Sequence, residues 1–348
     1  MARAQVTIVA WNSLRYLPEL LDSLSAQTFK DFQVLIVDNA STDGTNAYLR
    51  AHHPDATTIL NARNLGFAAA HNQGIRYAMQ RWSPDERAMR YVLVTNPDAI
   101  LEPDYLERVV AEADAHPGLG SVGGKLLRAF GEPREEEGVR ETMKSDLIDS
   151  TGLRATRGRS FADRGAGEVD RGQYDQARGV FGVSGALALY RASALEEAKT
   201  GEEYFDADFF AYKEDVDLAW RLRLLGWGSR FLPEAKAYHH RGVYGTEKAG
   251  FLSRLRERRA RSVTRSSYSA RNHWWLLMKN ELALNALIAL PWISARELSR
   301  VGYVALLETR TLGAFFASVF GIPRMWRKRR EIMRRRKASA SEMRSWFV

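Results

Sequence analysis

Between residues 6 and 95, short apolar runs alternate with stretches of helical spacing. Val6 to Ala10, Gln33 to Val37, Ala56 to Leu60 and Tyr91 to Thr95 are dominated by β-branched and aliphatic residues. Leu17, Leu20, Leu21 and Leu24 recur at helical intervals in the first gap, as do Ala69, Ile75, Tyr77 and Ala78 in the third. Strands that are apolar throughout, alternating with helices, predict a mostly parallel sheet covered on both faces. A further helix is expected over Tyr105 to Ala115. The order then gives way, from Arg128 to Gln176, to a polar stretch rich in Gly, Arg, Asp and Glu, read as an excursion or mobile loops without a core of its own. Apolar order resumes at Val180, and Ala186 to Tyr190 reads as an edge strand. Lys213 to Gly226 reads as a short amphipathic helix. Asp215 is its expected N-cap, Leu218, Leu222 and Leu225 share a face, and Gly226 suits the stop.

Past Arg271 the chain is aromatic and aliphatic between basic clusters. Its longest uncharged runs, Leu282 to Ala295 and Thr311 to Pro323, hold 14 and 13 residues, short of the ~18 to 20 that a spanning helix needs. Trp274, Trp275, Trp292 and Trp326 beside Arg and Lys suit helices lying in a bilayer interface. Helices packed on the rest of the protein fit the same pattern.

Composition narrows the chemistry. There is no cysteine among the 348 residues, which excludes disulfides, thiolate nucleophiles and cysteine zinc sites and agrees with a reducing, cytosolic setting. The apolar run at Val6 starts so early that no signal peptide is expected. The net charge of +9 is concentrated in residues 324 to 337, where nine Arg or Lys face only Glu331. The basic character therefore belongs to a tail and not to a field around the sheet.

Two strands end on carboxylates, Asp38 after Val37 and Asp98 in Val94-Thr-Asn-Pro-Asp98. Open α/β sheets bind ligands at the carboxyl ends of their strands, so two acids there point to a charged, metal-bridged ligand. Val37 to Thr45 supplies Asp38, Asn39, Ser41, Asp43 and Gly44 in a turn. Trp11 and Asn12, at the end of the first strand, add an aromatic face and a hydrogen-bonding group suited to a nucleobase and ribose. Asn64 to Asn72, with Gly66, contributes another polar loop on that edge. Gly118-Leu-Gly-Ser-Val-Gly123 fits the spacing of a dinucleotide fingerprint, but a helix precedes it and a strand follows. It is therefore expected to be a turn.

Taken in order, Val6 to Asn12, Val37 to Thr45, Asn64 to Gly74, Val94 to Asp98, Gly182-Val-Ser-Gly-Ala186, Phe210 to Arg221 and Tyr238-His239 resemble the inverting glycosyltransferases of family 2, and within them the rhamnosyltransferase-like enzymes. The resemblance implies a GT-A fold over residues 1–245, followed by a helical extension over 246–348, in which Arg271-Asn272 and the segment beyond resemble the family's membrane-proximal C-terminus. It implies that Asp38 binds base or ribose. It puts Asn96 to Asp98 at the family's Asp-x-Asp position, with Asp98 as principal carboxylate ligand of Mg²⁺ or Mn²⁺ and His239, in preference to His240, on the metal or diphosphate. Asp215 becomes the general base, ionised at a helix entrance where amide dipoles favour negative charge. Glu214 becomes an acceptor-positioning partner, and Ser184 and Gly185 a loop facing donor sugar and acceptor. Asp217 reads as a first-turn acid. The implied substrates are a nucleotide-diphospho-sugar such as dTDP-rhamnose and a cell-surface or lipid-linked glycan. The implied place is the inner face of the cell membrane, at an anionic lipid surface, with no nucleic acid partner.

Two other classes compete. A sugar nucleotidyltransferase would need a glycine-rich basic loop after the first strand, which Ala10 to Leu14 does not supply. A membrane- or RNA-binding adaptor would keep the fold and use only the tail.

Overall fold

The computed structural model describes residues 1–131, 142–240, 263–307, 309, 313 and 318–348. Eleven strands are formed among them: β1 (Ala4–Ala10), β2 (Phe32–Asp38), β3 (Thr57–Leu60), β4 (Tyr91–Thr95), β5 (Ala99–Leu101), β6 (Leu119–Phe130), β7 (Met143–Ser150), β8 (Leu153–Ala155), β9 (Phe161–Asp163), β10 (Leu187–Arg191) and β11 (Gly228–His240). The main sheet runs β3-β2-β1-β4-β10-β6-β11-β5, with β7 also on β6, and β8 and β9 form a separate pair. Strands β1 to β4 are parallel to one another where they pair. All five residues of β4 are buried, as expected of a strand covered on both faces.

Helices α1 (Leu17–Ser25), α2 (Thr45–His52), α3 (Gly66–Met79), α4 (Tyr105–Ala115), α5 (Ala192–Ala198) and α6 (Glu214–Leu224) flank the sheet. One core lies under α1 and α4, where Leu17, Leu20, Leu106 and Val109 meet Val6, Ile8 and Leu93. A second lies under α3, α5 and α6, where Ile75, Leu195, Leu218 and Leu222 meet Val92 and Val94. Alternate residues of one strand feed opposite cores, which is the period-two geometry of a pleated strand. Helix α3 crosses β1 so closely that a Cβ on Gly74 would sit 2.2 Å from Thr7 Cγ2.

The remaining helices are α7 (Val263–Asn280), α8 (Ala283–Ile288), α9 (Leu290–Leu307), α10 (Ile322–Arg335) and α11 (Ala340–Ser345). Trp275, Leu276, Met325, Ile332, Met343 and Phe347 join Leu153, Phe181, Phe209 and Trp220 in a third core. Trp220 is sandwiched among Phe161, Phe181 and Phe347. Fully burying a large apolar side chain contributes ~1.5–3 kcal/mol, so the C-terminal helices are bound tightly to α6. Among the described residues, no helix is long and apolar enough to cross a membrane.

Several expectations need correction. The run Ala186 to Tyr190 is not an edge strand, because β10 lies antiparallel between β4 and β6 with every residue buried. The polar stretch from Arg128 to Gln176 is more ordered than its composition suggests. Residues 132–141 fall outside the described residues, but β7 pairs with β6 and buries Ile148, while Leu153 and Ala155 enter the third core. Gly120 and Gly123 are not in a turn but inside β6. Trp275 is buried, its indole N–H donating to Ser318 O at 2.9 Å. The boundary at 245 lies outside the described residues, as does part of the run Thr311 to Pro323.

Candidate active site

The carboxyl ends of β1, β2 and β3 carry one connected set of polar groups. Asp38, buried at the end of β2, accepts from Ser41 N (2.9 Å). Asn12, in a left-handed conformation (φ 51°), accepts from Thr42 N at 2.7 Å. Asp43 accepts from Leu14 N (2.9 Å) and from both the amide and hydroxyl of Thr45, while Gly44 takes φ +91°. Asn39 donates to Asn64 Oδ1 (2.9 Å) and accepts from Leu65 N (3.0 Å), and Asn64 Oδ1 accepts from Gly66 N (2.8 Å). Trp11 stands exposed beside this rim. The structure thus gathers Trp11, Asn12, Asp38, Asn39, Asn64 and Gly66 at one sheet edge.

Beyond β4, Asp98 Oδ1 lies 3.1 Å from His239 Nε2, and Asn96 Nδ2 lies 3.3 Å from the same nitrogen. The other ring nitrogen, Nδ1, meets Asp149 Oδ2 at 2.9 Å. Burial disfavours the charged ring, but Asp98 and Asp149 outweigh it and hold the imidazole pKa up at about 10. His240 points elsewhere, to Glu19 (3.1 Å) and Tyr16. Among the described residues, no group of three His, Cys, Asp or Glu is placed to hold a metal ion. Asp98 and His239 could hold a divalent ion only once it displaces the proton from the ring, with substrate phosphates and water completing the shell. A carboxylate on the far ring nitrogen is the usual orienting partner of a metal-bound histidine.

The second pair of acids opens α6. Lys213, at φ 72°, is the N-cap in place of Asp215, and Glu214 and Asp215 are the first helical residues. Asp215 Oδ2 accepts from Gly185 N at 3.1 Å and Oδ1 from its neighbour Val216 N at 2.8 Å. Burial raises the Asp215 pKa despite those amides and the nearby Lys213 ammonium. The helix entrance therefore does not keep Asp215 at an ordinary acidity; it becomes a stronger base than an exposed carboxylate. Glu214 is raised further, by burial first and then by the Asp215 charge, and its Oε2 is buried without a hydrogen-bond partner among the described residues. Asp217 is structural: it is fully buried against Arg221, Lys279 and Asn280.

One short segment ties the two acid pairs together. Ala186 O accepts from Asn96 N at 2.9 Å, while Gly185 N, one residue before, donates to Asp215. A Cβ on Gly185 would stand 3.0 Å from Asp215 Cβ. The turn bearing Asn96 and Asp98 and the entrance of α6 thus flank the same loop, with Ser184 beside it. Residues that the sequence did not flag complete the arrangement. Asp149 ends the run Asp146-Leu-Ile-Asp149, the same strand-then-acid form that marks Asp38. Asn272 and Lys279 gave no such signal, being polar residues of a helix whose buried side shows only in the fold.

The family profile described as Glycosyl transferase family 2 matches residues 5–198, more than half of the chain. The chain is a family 2 glycosyltransferase. This glycosyltransferase is 30% identical over 246 residues to the N-acetylglucosaminyl-diphospho-decaprenol L-rhamnosyltransferase of Mycobacterium tuberculosis, covering 68% of this chain and 75% of the relative. It is 31% identical over 134 residues to the succinoglycan biosynthesis protein ExoO of Rhizobium meliloti, 36% of each. Its fold is GT-A. S. aureus TarS, solved with UDP, superposes with a TM-score of 0.52 at 16% identity over 96% of this chain and 90% of that one. GalNAc-T7, solved with UDP, GalNAc and Mn²⁺, gives a TM-score of 0.54 at 12% identity over 80% of this chain and 48% of that one.

Proposed function

We propose that this glycosyltransferase moves rhamnose from dTDP-rhamnose to a lipid-linked or cell-surface glycan, with inversion at the anomeric carbon. The rhamnosyltransferase relative, named for a diphospho-decaprenol substrate, supports the sugar and the lipid-linked acceptor. The observation that carries the chemistry is the loop Ser184 to Ala186, flanked by Asn96 on one side and Asp215 on the other. Trp11, Asn12, Asp38, Asn39, Asn64 and Gly66 form the nucleotide side. Asp98 and His239 would hold Mg²⁺ or Mn²⁺, which supplies positive charge to the departing diphosphate. Asp215, raised in pKa and oriented by Gly185 N, takes the proton of the acceptor hydroxyl as its oxygen attacks the sugar from the opposite face. Glu214, Ser184 and Gly185 place the acceptor. Residues 1–245 form the catalytic unit in this reading.

The test is nucleoside diphosphate release from UDP-, GDP- and dTDP-sugars with Mg²⁺ or Mn²⁺, with and without a polyprenyl-diphosphate-linked acceptor. Acceptor-stimulated release from dTDP-rhamnose that Asp215→Asn lowers by ~10²–10⁴, the range of general base catalysis, is the expected outcome. Absence of release from every donor, in a folded protein, would leave only an inactive adaptor.

We also propose that residues 246–348 seat the enzyme on the anionic inner face of the cell membrane, with no nucleic acid partner. Helix α9 supports this. Its charged residues, Arg296, Glu297 and Arg300, turn toward α7, where they meet His273 and Ala270 O. Its exposed residues Leu290, Trp292, Leu298, Val301 and Leu306 carry no charge, and Leu284, Leu287 and Ile288 of α8 adjoin them in sequence. The basic helix α10 is divided. Lys328, Arg329 and Arg335 bind Asp206, Glu281 O and Lys199 O, whereas Arg327, Arg330 and Arg334 stay exposed near Trp326. A charged residue facing in and an apolar one facing out suit a lipid interface. Anionic vesicles should sediment the wild type but not Leu287→Glu/Leu298→Glu. Equal sedimentation of both would remove this part of the reading.

A further inference from the structure

The loop that delivers Glu214 and Asp215 is built against its own backbone preferences. Phe210 has φ 63° and ψ −65°, and Ala211 N donates back to Phe209 O at 2.7 Å, which is the rare γ-turn. Tyr212 and Lys213 follow, both at φ 72°. No glycine eases any of the three. Every carbonyl from 208 to 212 is instead held from outside the loop. Arg271 Nη2 donates to Asp208 O (2.8 Å) and Phe209 O (3.3 Å). Asn272 Nδ2 donates to Phe209 O (2.8 Å), Ala211 O (2.9 Å) and Tyr212 O (2.8 Å), and Ala68 N donates to Phe210 O (3.2 Å).

Asn272 is the hub of this set. It is fully buried on α7, and its Oδ1 accepts from Arg271 Nε and Nη2 at 3.1 and 3.0 Å, which fixes the amide with its nitrogen toward the loop. On the other side, a Cβ on Gly66 would strike Phe210 O at 2.5 Å, so the nucleotide-side loop rests directly on the turn. We propose that Asn272 is a positioning residue for catalysis: from the C-terminal helices it holds the loop 209–213 so that Asp215 faces the acceptor, while the Phe210 carbonyl under Gly66 is held separately by Ala68 N. The proposal rests on the reading of Asp215 as the base. Asn272 touches no reacting atom in it and acts through Asp215.

The test uses the full chain and compares Asn272→Asp and Asn272→Ser with wild type at saturating donor. Asn272→Asp keeps the shape but turns an oxygen toward three carbonyls. Expected is a fall in kcat of about 100-fold or more, while the KM for donor and the Kd for the nucleoside diphosphate stay within about threefold, the split that marks loss of transition-state organisation rather than ground-state binding. Tyr212→Gly, which relieves one left-handed position, should shrink the loss caused by Asn272→Ser at least several-fold in the double variant. If the Asn272 variants do not fold, Arg271→Gln on the half-buried neighbour should give a milder version of the same split. Folded Asn272 variants with kcat within threefold of wild type would overturn the proposal, as would an equal loss in the Tyr212→Gly background, or an Arg271→Gln effect confined to thermal stability. A wild type that turns over no donor would instead sink the functional reading beneath it.

Discussion

Lys279→Met isolates the ion network that binds the C-terminal helices to α6. The ammonium, fully buried, lies 2.5 Å from Asp206 and 2.9 Å from Asp217, whose carboxylates are also fully buried. Methionine keeps the length of the stem and removes the charge. Breaking a buried pair by deleting one partner costs ~3–5 kcal/mol, because the other charge is left uncompensated. Here neither carboxylate is left alone. Asp206 keeps Lys328 at 2.5 Å, and Asp217 keeps Arg221 at 2.9 Å and Asn280 at 2.8 Å. The cost should therefore fall at the low end, about 3 kcal/mol, or a drop in Tm of roughly 6 °C at ~2 °C per kcal/mol for a protein of this size. Lys279 and Lys328 hold Asp206 well below the usual carboxylate range despite its burial, and Lys279 and Arg221 do the same for Asp217. A depressed folded-state pKa contributes stability above the unfolded value of ~3.9, and that contribution is lost as pH falls through the folded value. The gap between wild type and variant should thus hold from neutral pH down to about pH 4 and narrow only below it, as pH falls toward the depressed folded values. Urea titrations of both proteins at about pH 2.5 and at about pH 7 measure it. A loss under ~1 kcal/mol at pH 7, typical of an exposed pair, or a gap independent of pH, would refute the reasoning.

Glu214→Gln should stabilise the protein while impairing transfer. Burial and the Asp215 charge raise the Glu214 pKa, so the folded state resists its ionisation and loses stability as pH rises. The variant should melt higher than wild type at pH 8 and equally at pH 4; a lower Tm at pH 8 would contradict the assignment of a buried, unpartnered carboxyl. Asp98→Ala should weaken metal-dependent donor binding by roughly tenfold or more, about 1.4 kcal/mol, and leave metal-free nucleotide binding alone, as read by calorimetry with and without Mn²⁺. Asp149→Asn should weaken Mn²⁺ affinity by ~10–100-fold, the usual effect of removing an orienting carboxylate, and unchanged affinity would mean that Asp149 only supports the fold.

The parallel half of the sheet was legible because its strands are dominated by β-branched and aliphatic residues and alternate with stretches of helical spacing. Asp38, Asn39 and Asn64 were legible for a related reason: polar residues that directly follow an apolar strand have only the sheet edge to occupy. Position in the sheet was not legible. Ala186 to Tyr190 is short and follows a polar stretch, which looks like an edge, yet its neighbours are set by β4 and β6, 91 and 119 residues into the chain. The polar stretch misled because Arg128, Asp149 and Arg159 are buried in ion pairs, and composition cannot distinguish a paired buried charge from a solvated one. The helix start at Glu214 was misplaced by two residues because a lysine in the left-handed region is not a usual cap. Asn272 was legible only as part of the C-terminal extension and Lys279 not at all, because their partners are backbone carbonyls and acids more than fifty residues away.

The insertion of β10 has a consequence for how such an enzyme diversifies. Because β10 runs against β4, the chain leaves the sheet through Asn96 at the point where it enters through Ala186. Two stretches ninety positions apart are joined there by a main-chain hydrogen bond. Gly182 has no room for a side chain and Val183 is buried in the second core, so variation at the partly exposed Ser184 is the change that should shift which alcohol is glycosylated while the nucleotide preference stays as inherited.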